Sequence, residues 1–142
     1  MRFAYPIELT PEADGSLTVS FPDLPEALTS GKDRVKALAL AADCLEEALA
    51  CRVDDGEPIP PPSLTANRPL ISPRPVIAAK VALNLALTEF AMTNIELASR
   101  LRVAEGEVRR LKNFRHNSKI DRLSAALAAL GKSLTVEIQD VA

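Results

Sequence analysis

Histidine is almost absent from this chain: His116 is the single one in 142 residues, and only two cysteines, Cys44 and Cys51, accompany it. A structural zinc site takes four Cys or His ligands and a catalytic one three protein ligands, so no zinc set is available. The cysteines lie seven residues apart in a segment of helical period, which separates them by about 10 Å along the axis, too far for an internal disulfide. They read as two buried, reduced thiols. No uncharged apolar run is long enough to span a membrane, and the N-terminus lacks the apolar core of a signal peptide, which points to the cytoplasm. A glycine-rich phosphate loop is missing as well. The acids of the first half have no histidine or activated nucleophile to work with. A carboxylate cluster for magnesium is the one enzymatic arrangement they suggest, behind a solvated or docking surface.

What is present is a globular composition, 47% hydrophobic and 25% charged, which excludes a disordered protein. The net charge of −2 conceals a split: residues 1–67 hold 5 Lys/Arg and 12 Asp/Glu, net −7, and residues 68–142 hold 12 and 7, net +5. Two halves of opposite charge suggest two different partners.

In the first half, Phe3, Tyr5, Ile7 and Leu9 alternate with Arg2, Ala4, Pro6 and Glu8, the period of a strand with one buried face, and Pro6 places it at an edge. Asp14-Gly15 supplies a hairpin turn, and Leu17, Val19 and Phe21 return. Residues 22–25 interrupt the pattern, and residues 27–30 form a third short strand. From Asp33, a helix cap, the period becomes helical with a stripe of Val35, Leu38, Ala42, Leu45 and Leu49, ending by Gly56. The result is a β-β-β-α unit of α+β class over residues 1–63. Residues 64–74 continue a proline-rich connector that begins at Glu57, with residues 69–72 as a possible fourth strand.

Over residues 75–142 the pattern is helical. Pro75 opens a helix through Phe90, striped by Val76, Ala79, Leu83, Ala86, Leu87 and Phe90. Residues 93–113 read as two short helices. Thr93 caps the first, whose Ile95, Leu97, Ala98 and Leu101 face a core; Arg102, Val103 and Ala104 turn, with Val103 tucked beneath; Val108 and Leu111 face inward from the second, leaving Arg109, Arg110 and Lys112 outside. This is the pattern of a helix-turn-helix, against the alternative of a plain helical hairpin with a solvated face. Residues 100–119 carry 7 basic and 2 acidic residues, net +5, the strip that phosphate binding requires. Two departures weaken the motif: Arg102 where a glycine relaxes the turn, and Ala104 where Ser or Thr would cap. The candidate DNA contacts are Thr93, Asn94, Arg102, Glu105, Gly106, Arg109, Arg110, Lys112, Asn113, Arg115 and Lys119; His116 is a loop residue.

Ile120, Leu123, Leu127 and Leu130 stripe a further helix, closed by Gly131. Leu134, Val136 and Ile138 then alternate with polar residues as a strand that has no partner in its own half. It must pair elsewhere in the chain or with a second subunit. Ile120, Leu123, Leu127, Leu134, Val136 and Ile138 are therefore the candidate dimerisation residues, since repressors of this kind present two recognition helices about 34 Å apart.

Tyr5-Pro6-Ile7, Asp14-Gly15, the run from Phe21 through Thr29 with Gly31, Ile59-Pro60 and Pro62-Ser63 together resemble the HicB antitoxins. Glu96-Leu97-Ala98, Arg110-Leu111, Lys119-Ile120-Asp121 and Leu130-Gly131-Lys132 resemble the subgroup with a C-terminal helix-turn-helix. The resemblance implies a degenerate ribonuclease-H-like first domain without catalytic activity, inhibition of a small mRNA-cleaving HicA toxin of double-stranded-RNA-binding fold, and repression of the operon encoding both. Such a basic toxin would meet the acidic half, for which Asp14, Phe21, Asp23, Glu26, Glu46 and Glu47 are the candidate contacts. The expectation is a non-enzymatic antitoxin and autorepressor, homodimeric or of higher even order, without cofactor or metal. A metal-dependent nuclease and a one-component repressor with a ligand-sensing first domain are the alternatives.

Overall fold

The computed structural model describes residues 1–65 and 67–140. Ten elements follow in order: β1 (Tyr5–Pro6), β2 (Glu8–Pro11), β3 (Leu17–Phe21), β4 (Leu24–Gly31), α1 (Arg34–Asp54), β5 (Leu70–Ile71), α2 (Pro75–Glu89), α3 (Asn94–Leu101), α4 (Glu105–Lys112) and α5 (Ile120–Ala129). The class is mixed α+β, strands first and helices after.

The expected first strand is split between two sheets. Tyr5 and Pro6 pair antiparallel with Ile71 and Leu70, and residues 8–11 pair with β3. Proline has no N–H to continue a ladder, and at the crossing the Ile7 N–H donates to the Pro69 carbonyl instead (3.0 Å). Tyr5 and Ile7 enter the core as expected, but Pro6 between them is buried as well, so the expected alternation breaks where the strand passes from one sheet to the other. Leu70–Ile71 is the expected fourth strand. In the β2–β3 turn the Asp14 carboxylate accepts both the Ser16 N–H and its hydroxyl (2.9 and 2.6 Å), and Gly15 supplies φ +87°. The third strand is longer than expected. Only Pro22 and Asp23 turn, so that β4 begins at buried Leu24 and tolerates Pro25 because it is an edge strand with order β2-β3-β4.

Asp33 caps α1 by accepting the Lys36 N–H (2.9 Å). The face that α1 buries keeps Leu45 and Leu49 of the expected stripe and departs from it elsewhere. Ala37, Ala41, Leu45, Ala48, Leu49 and Ala50 are buried, whereas Val35 is exposed and Leu38 and Ala42 are half-buried. Small side chains let the helix lie close on the sheet, and Gly31 shows how close: a Cβ there would fall 2.4 Å from the Ala37 backbone nitrogen. Cys44 is half-buried and Cys51 exposed, so the expectation of two buried thiols fails for Cys51, which lies on the outer side of α1.

Two cores result. The first joins the strands and α1 to Ile59, Ile71, Ile77, Val81 and Phe114; the second unites Leu83 and Leu87 of α2 with Leu97, Val108, Leu111, Leu123, Leu127 and Leu130. The helix α2 thus belongs to both, apolar on opposite sides, and the division between cores falls within it and not at residues 64–74. Pro75 occupies its first turn as expected, while Phe90 lies beyond its end, half-exposed. Each fully buried leucine contributes about 1.5–3 kcal/mol. Burial in this core also removes Leu123 and Leu127 from any subunit interface, a correction to their assignment as dimerisation residues; Ile120 is half-buried beside them. Gly131 ends α5 with φ +73°.

The expected C-terminal strand is absent among the described residues. Leu134 rests half-buried on the second core, Val136 and Ile138 are 76% and 92% exposed, and Glu137 meets Arg2 at 2.9 Å. A lone strand lacks the partner that would satisfy its backbone, and the described residues supply none. No single helix among the described residues is long and apolar enough to cross a membrane.

Candidate nucleic-acid interface

The α3–α4 unit begins with a capping box: the Thr93 hydroxyl accepts the Glu96 N–H (3.1 Å) and the Glu96 carboxylate accepts the Thr93 N–H (2.9 Å). Leu97 and Ala98 are buried as expected. Ile95 is not. It is 71% exposed, on the opposite side of α3 from the core, and with Phe90 and Met92 it borders a shallow groove. The turn closes on Arg102, which takes φ +56°, ψ +45°, while the Val103 N–H donates back to the Ala98 carbonyl (3.0 Å), a helix ending that glycine ordinarily provides. Val103 stays at the surface instead of tucking under α4.

Ala104 makes no side-chain cap for α4. Its first turn instead carries Glu105 and Glu107, whose charges suit a helix N-terminus. Val108 and Leu111 are its buried residues. Arg109 pairs with Glu105 at 2.9 Å and Arg110 with Glu107, holding the Glu107 carboxyl below its ordinary range. Both guanidiniums fold back over Gly106, where a Cβ would stand 3.6 Å from Arg110 Nη1 and 3.8 Å from Arg109 Nη2. Exposed pairs of this spacing are worth about 0.3–0.5 kcal/mol, so a phosphate or a base edge exchanges with the glutamates at little cost. Arg122 from α5 also reaches Glu107 (3.4 Å), placing another cation beside α4 that its position in the sequence gave no reason to single out.

The remaining candidates scatter in role. Thr93 is occupied as the cap, and Asn94 accepts from Lys112 Nζ (3.0 Å), joining α3 to α4. Arg102 and Lys119 are exposed. Asn113 accepts the Arg115 N–H through its side chain (2.9 Å). Arg115 faces the other way from α4's arginines: it binds Glu47 (3.0 Å) and Asp54 (2.9 Å) of α1, which raise its pKa further, so it is already engaged by carboxylates.

Beneath α4 lies a residue that periodicity passed over. Lys80 is fully buried, and its ammonium donates to the carbonyls of Arg110 (3.1 Å), Asn113 (2.7 Å) and His116 (2.8 Å) and to the Ser118 hydroxyl (2.8 Å). One turn further along α2, Asn84 donates to the Lys112 carbonyl (3.3 Å). The Arg110 and Lys112 carbonyls belong to the last turn of α4 and those of Asn113 and His116 to the loop beyond it, and a cation there suits the helix dipole. Burial pushes the Lys80 pKa from 10.5 down to about 8. The signal in the sequence was a lone charge inside the apolar run of residues 75–88.

The first half presents a less open acidic surface than its net charge suggests. Phe21 is 1% exposed, a core residue and not a docking contact, because the alternation of β3 turns it inward. Asp23 accepts the Ser63 N–H and hydroxyl (2.8 and 2.5 Å), Glu26 binds Arg52, Glu46 binds Arg74 (2.9 Å) and Glu47 binds Arg115. Asp14 is spent on its turn. Among the described residues no three His, Cys, Asp or Glu side chains converge as metal ligands.

With this geometry in hand, the likeness to known proteins is informative. The family model for the HicB-like antitoxin of bacterial toxin-antitoxin system matches residues 4–82, which take in every buried member of the first core except Phe114. Among curated relatives, Antitoxin HicB 1 of Photorhabdus laumondii subsp. laumondii is 40% identical over 135 residues, covering 95% of this chain and 86% of that protein. Antitoxin HicB of Escherichia coli strain K12 is 40% identical over 133 residues, 93% and 96% of the two chains. Antitoxin HicB of Pseudomonas fluorescens is 34% identical over 141 residues, 98% and 96%.

Proposed function

The chain belongs to the HicB-like antitoxin family of bacterial toxin-antitoxin systems, and on that premise we propose that it neutralises a HicA-type mRNA-cleaving toxin by direct binding and represses its own operon through a helix-turn-helix made of α3 and α4. The sheet and α1 take the toxin, and α2 to α5 take DNA and a second subunit. The chain acts in the cytoplasm and not as an enzyme, with the first half serving as a degenerate ribonuclease-H-like scaffold. The observation that supports the DNA reading above all is the exposed pair Arg109 and Arg110 on a short helix, held only by glutamates of that same helix and so free to exchange onto nucleic acid.

The toxin partner follows from the family, and charge favours the first half as its seat. A protein that cleaves RNA is expected to be basic, and complementary charge raises association rate and partner choice more than affinity. Co-expression with the product of the neighbouring reading frame tests the first assignment: a complex that abolishes mRNA cleavage is expected, and a toxin that neither co-purifies nor is inhibited refutes it. Operator-fragment binding tests the second, and unchanged affinity in both Arg109→Ala and Arg110→Ala would remove α4 from the interface.

A further inference from the structure

The loop that follows α4, residues 113–119, is fastened at three points, two of them to the core and surface of the sheet-and-α1 half and one to α2. Phe114, the second residue after α4, is buried in the first core together with Ile77 and Val81, not in the core that holds α4. Arg115 spans two turns of α1, with both terminal nitrogens on Glu47 (3.0 and 3.2 Å) and Nε on Asp54 (2.9 Å). Lys80 draws in the carbonyls on either side of Phe114, those of Asn113 and His116, from a helix shared by the two cores. Against these, α4 contributes only Val108 and Leu111 to the helical core, a small apolar footprint for the element meant to read DNA.

We propose that Phe114 is a positioning residue for DNA recognition, aided by Arg115 and Lys80, so that α4 takes its reading orientation from the sheet-and-α1 half and does not belong to an autonomous DNA-binding unit. The proposal rests on the assignment of α4 as the recognition helix. Base contacts depend on the orientation of a few side chains, whereas phosphate attraction is long-ranged and tolerant of small displacements. Loss of the Phe114 anchor should therefore cut operator-specific binding and spare general affinity for duplex DNA. Phe114 carries no charge, so its replacement leaves the number of phosphate-neutralising cations, and with it the salt dependence, unchanged.

The test uses the full chain with Phe114→Ala, Phe114→Leu and Arg115→Gln. Fluorescence anisotropy is measured on an operator duplex and on a scrambled duplex of equal length over a range of salt, alongside amide hydrogen exchange. The expected result for Phe114→Ala is an operator affinity lowered about tenfold, the scale of one lost base contact, with the scrambled duplex and the salt slope unchanged. Amides of α4 should exchange faster while those of α3 and α5 keep their protection, and Phe114→Leu should restore most of both. Should Phe114→Ala fail to fold, Arg115→Gln, a surface change that also removes one cation, carries the ratio of operator to scrambled affinity and the exchange comparison with a smaller loss, and its salt slope is not compared. A folded Phe114→Ala or Arg115→Gln with wild-type operator affinity and α4 protection overturns the proposal, as does an equal fall on both duplexes. A wild type that does not prefer the operator refutes instead the reading of α4 as a DNA helix, while the exchange pattern still decides whether Phe114 holds it.

Discussion

Lys80→Met is the sharpest probe of how α4 is held. Methionine keeps the apolar stem and nearly fills the volume, so no cavity opens, and the change isolates the ammonium. Its removal has two opposed effects. The depression of the pKa from 10.5 to about 8 is a desolvation penalty of about 3 kcal/mol at about 1.4 kcal/mol per unit, which the variant no longer carries. It loses in exchange four hydrogen bonds from a charged donor, each worth about 1.5–3 kcal/mol. Three of the four acceptors keep another partner: Arg110 O accepts the Asn113 N–H, Asn113 O accepts the His116 N–H, and Ser118 Oγ stays near His116 Nδ1. The His116 carbonyl is the one that suffers most. Four such bonds at the low end of that range, less the desolvation relief, leave a net loss of about 3 kcal/mol, roughly 9–12 °C in Tm for a chain of this size. The pH dependence adds a second arm. Because the folded pKa lies below the unfolded one, the unfolded chain binds more protons between about pH 8 and 10.5, so the wild type gains stability relative to Lys80→Met as pH rises through that window, and the difference is constant below it. Thermal melts of both proteins from pH 7 to 10 provide the check. Coincident melts at pH 7, or a difference that shrinks above pH 8, refute the reasoning.

Arg102→Gly should raise thermal stability by about 1 kcal/mol, since a side chain at φ +56° is strained by about 1–2 kcal/mol and glycine returns part of that as backbone entropy; a lowered Tm would show that Arg102 makes a compensating contact. Ala104→Ser should supply the missing cap of α4 and stabilise by about 1 kcal/mol in chemical denaturation, and no gain would mean that Glu105 and Glu107 already meet the need. Arg109→Ala should weaken operator binding by about 1–3 kcal/mol if it reads a guanine, or lower the salt slope by about 1 if it holds a phosphate. For the tail, sedimentation should find a dimer for the wild type and a monomer for Val136→Pro and for a truncation after Lys132; an identical mass for all three excludes residues 134–139 as the interface.

The readable features of this chain are those decided within a few residues. Asp33 and Thr93 each have the chemistry of a cap, Pro75 suits only a first helical turn, and Asp14-Gly15 makes a hairpin whatever surrounds it. In α1 periodicity locates Leu45 and Leu49 but not the rest of the buried face, because it weighs large side chains, and here alanines do much of the packing against a sheet that Gly31 allows to come close. The crossing at Ile7 and the pairing of Tyr5 with Ile71 depend on which strands lie adjacent in space. In the interface, the arginines were legible because charge at helical spacing is local. Lys80 and Phe114 were not, since a lysine in an apolar run and an aromatic after a helix gain meaning only from what the fold brings to them.

The exchange of β1 for β2 at Ile7 has a consequence for the order in which the molecule is made. The β2–β3–β4 meander and α1 need only neighbouring residues and are complete once about residue 54 has been synthesised. Strand β1 must wait for Leu70 and Ile71 to be its partner, and the core beside it stays open until Ile77, Val81 and finally Phe114 arrive. Closing such a span carries an entropic cost that local hairpins escape, and contacts of high sequence separation slow folding. Emerging N-terminus first from the ribosome, the chain displays its acidic half early, yet leaves the aromatic ring of Tyr5 unsealed until most of the protein exists, so exposure of the nascent chain to chaperones and proteases should outlast what its local strand pairing alone would require.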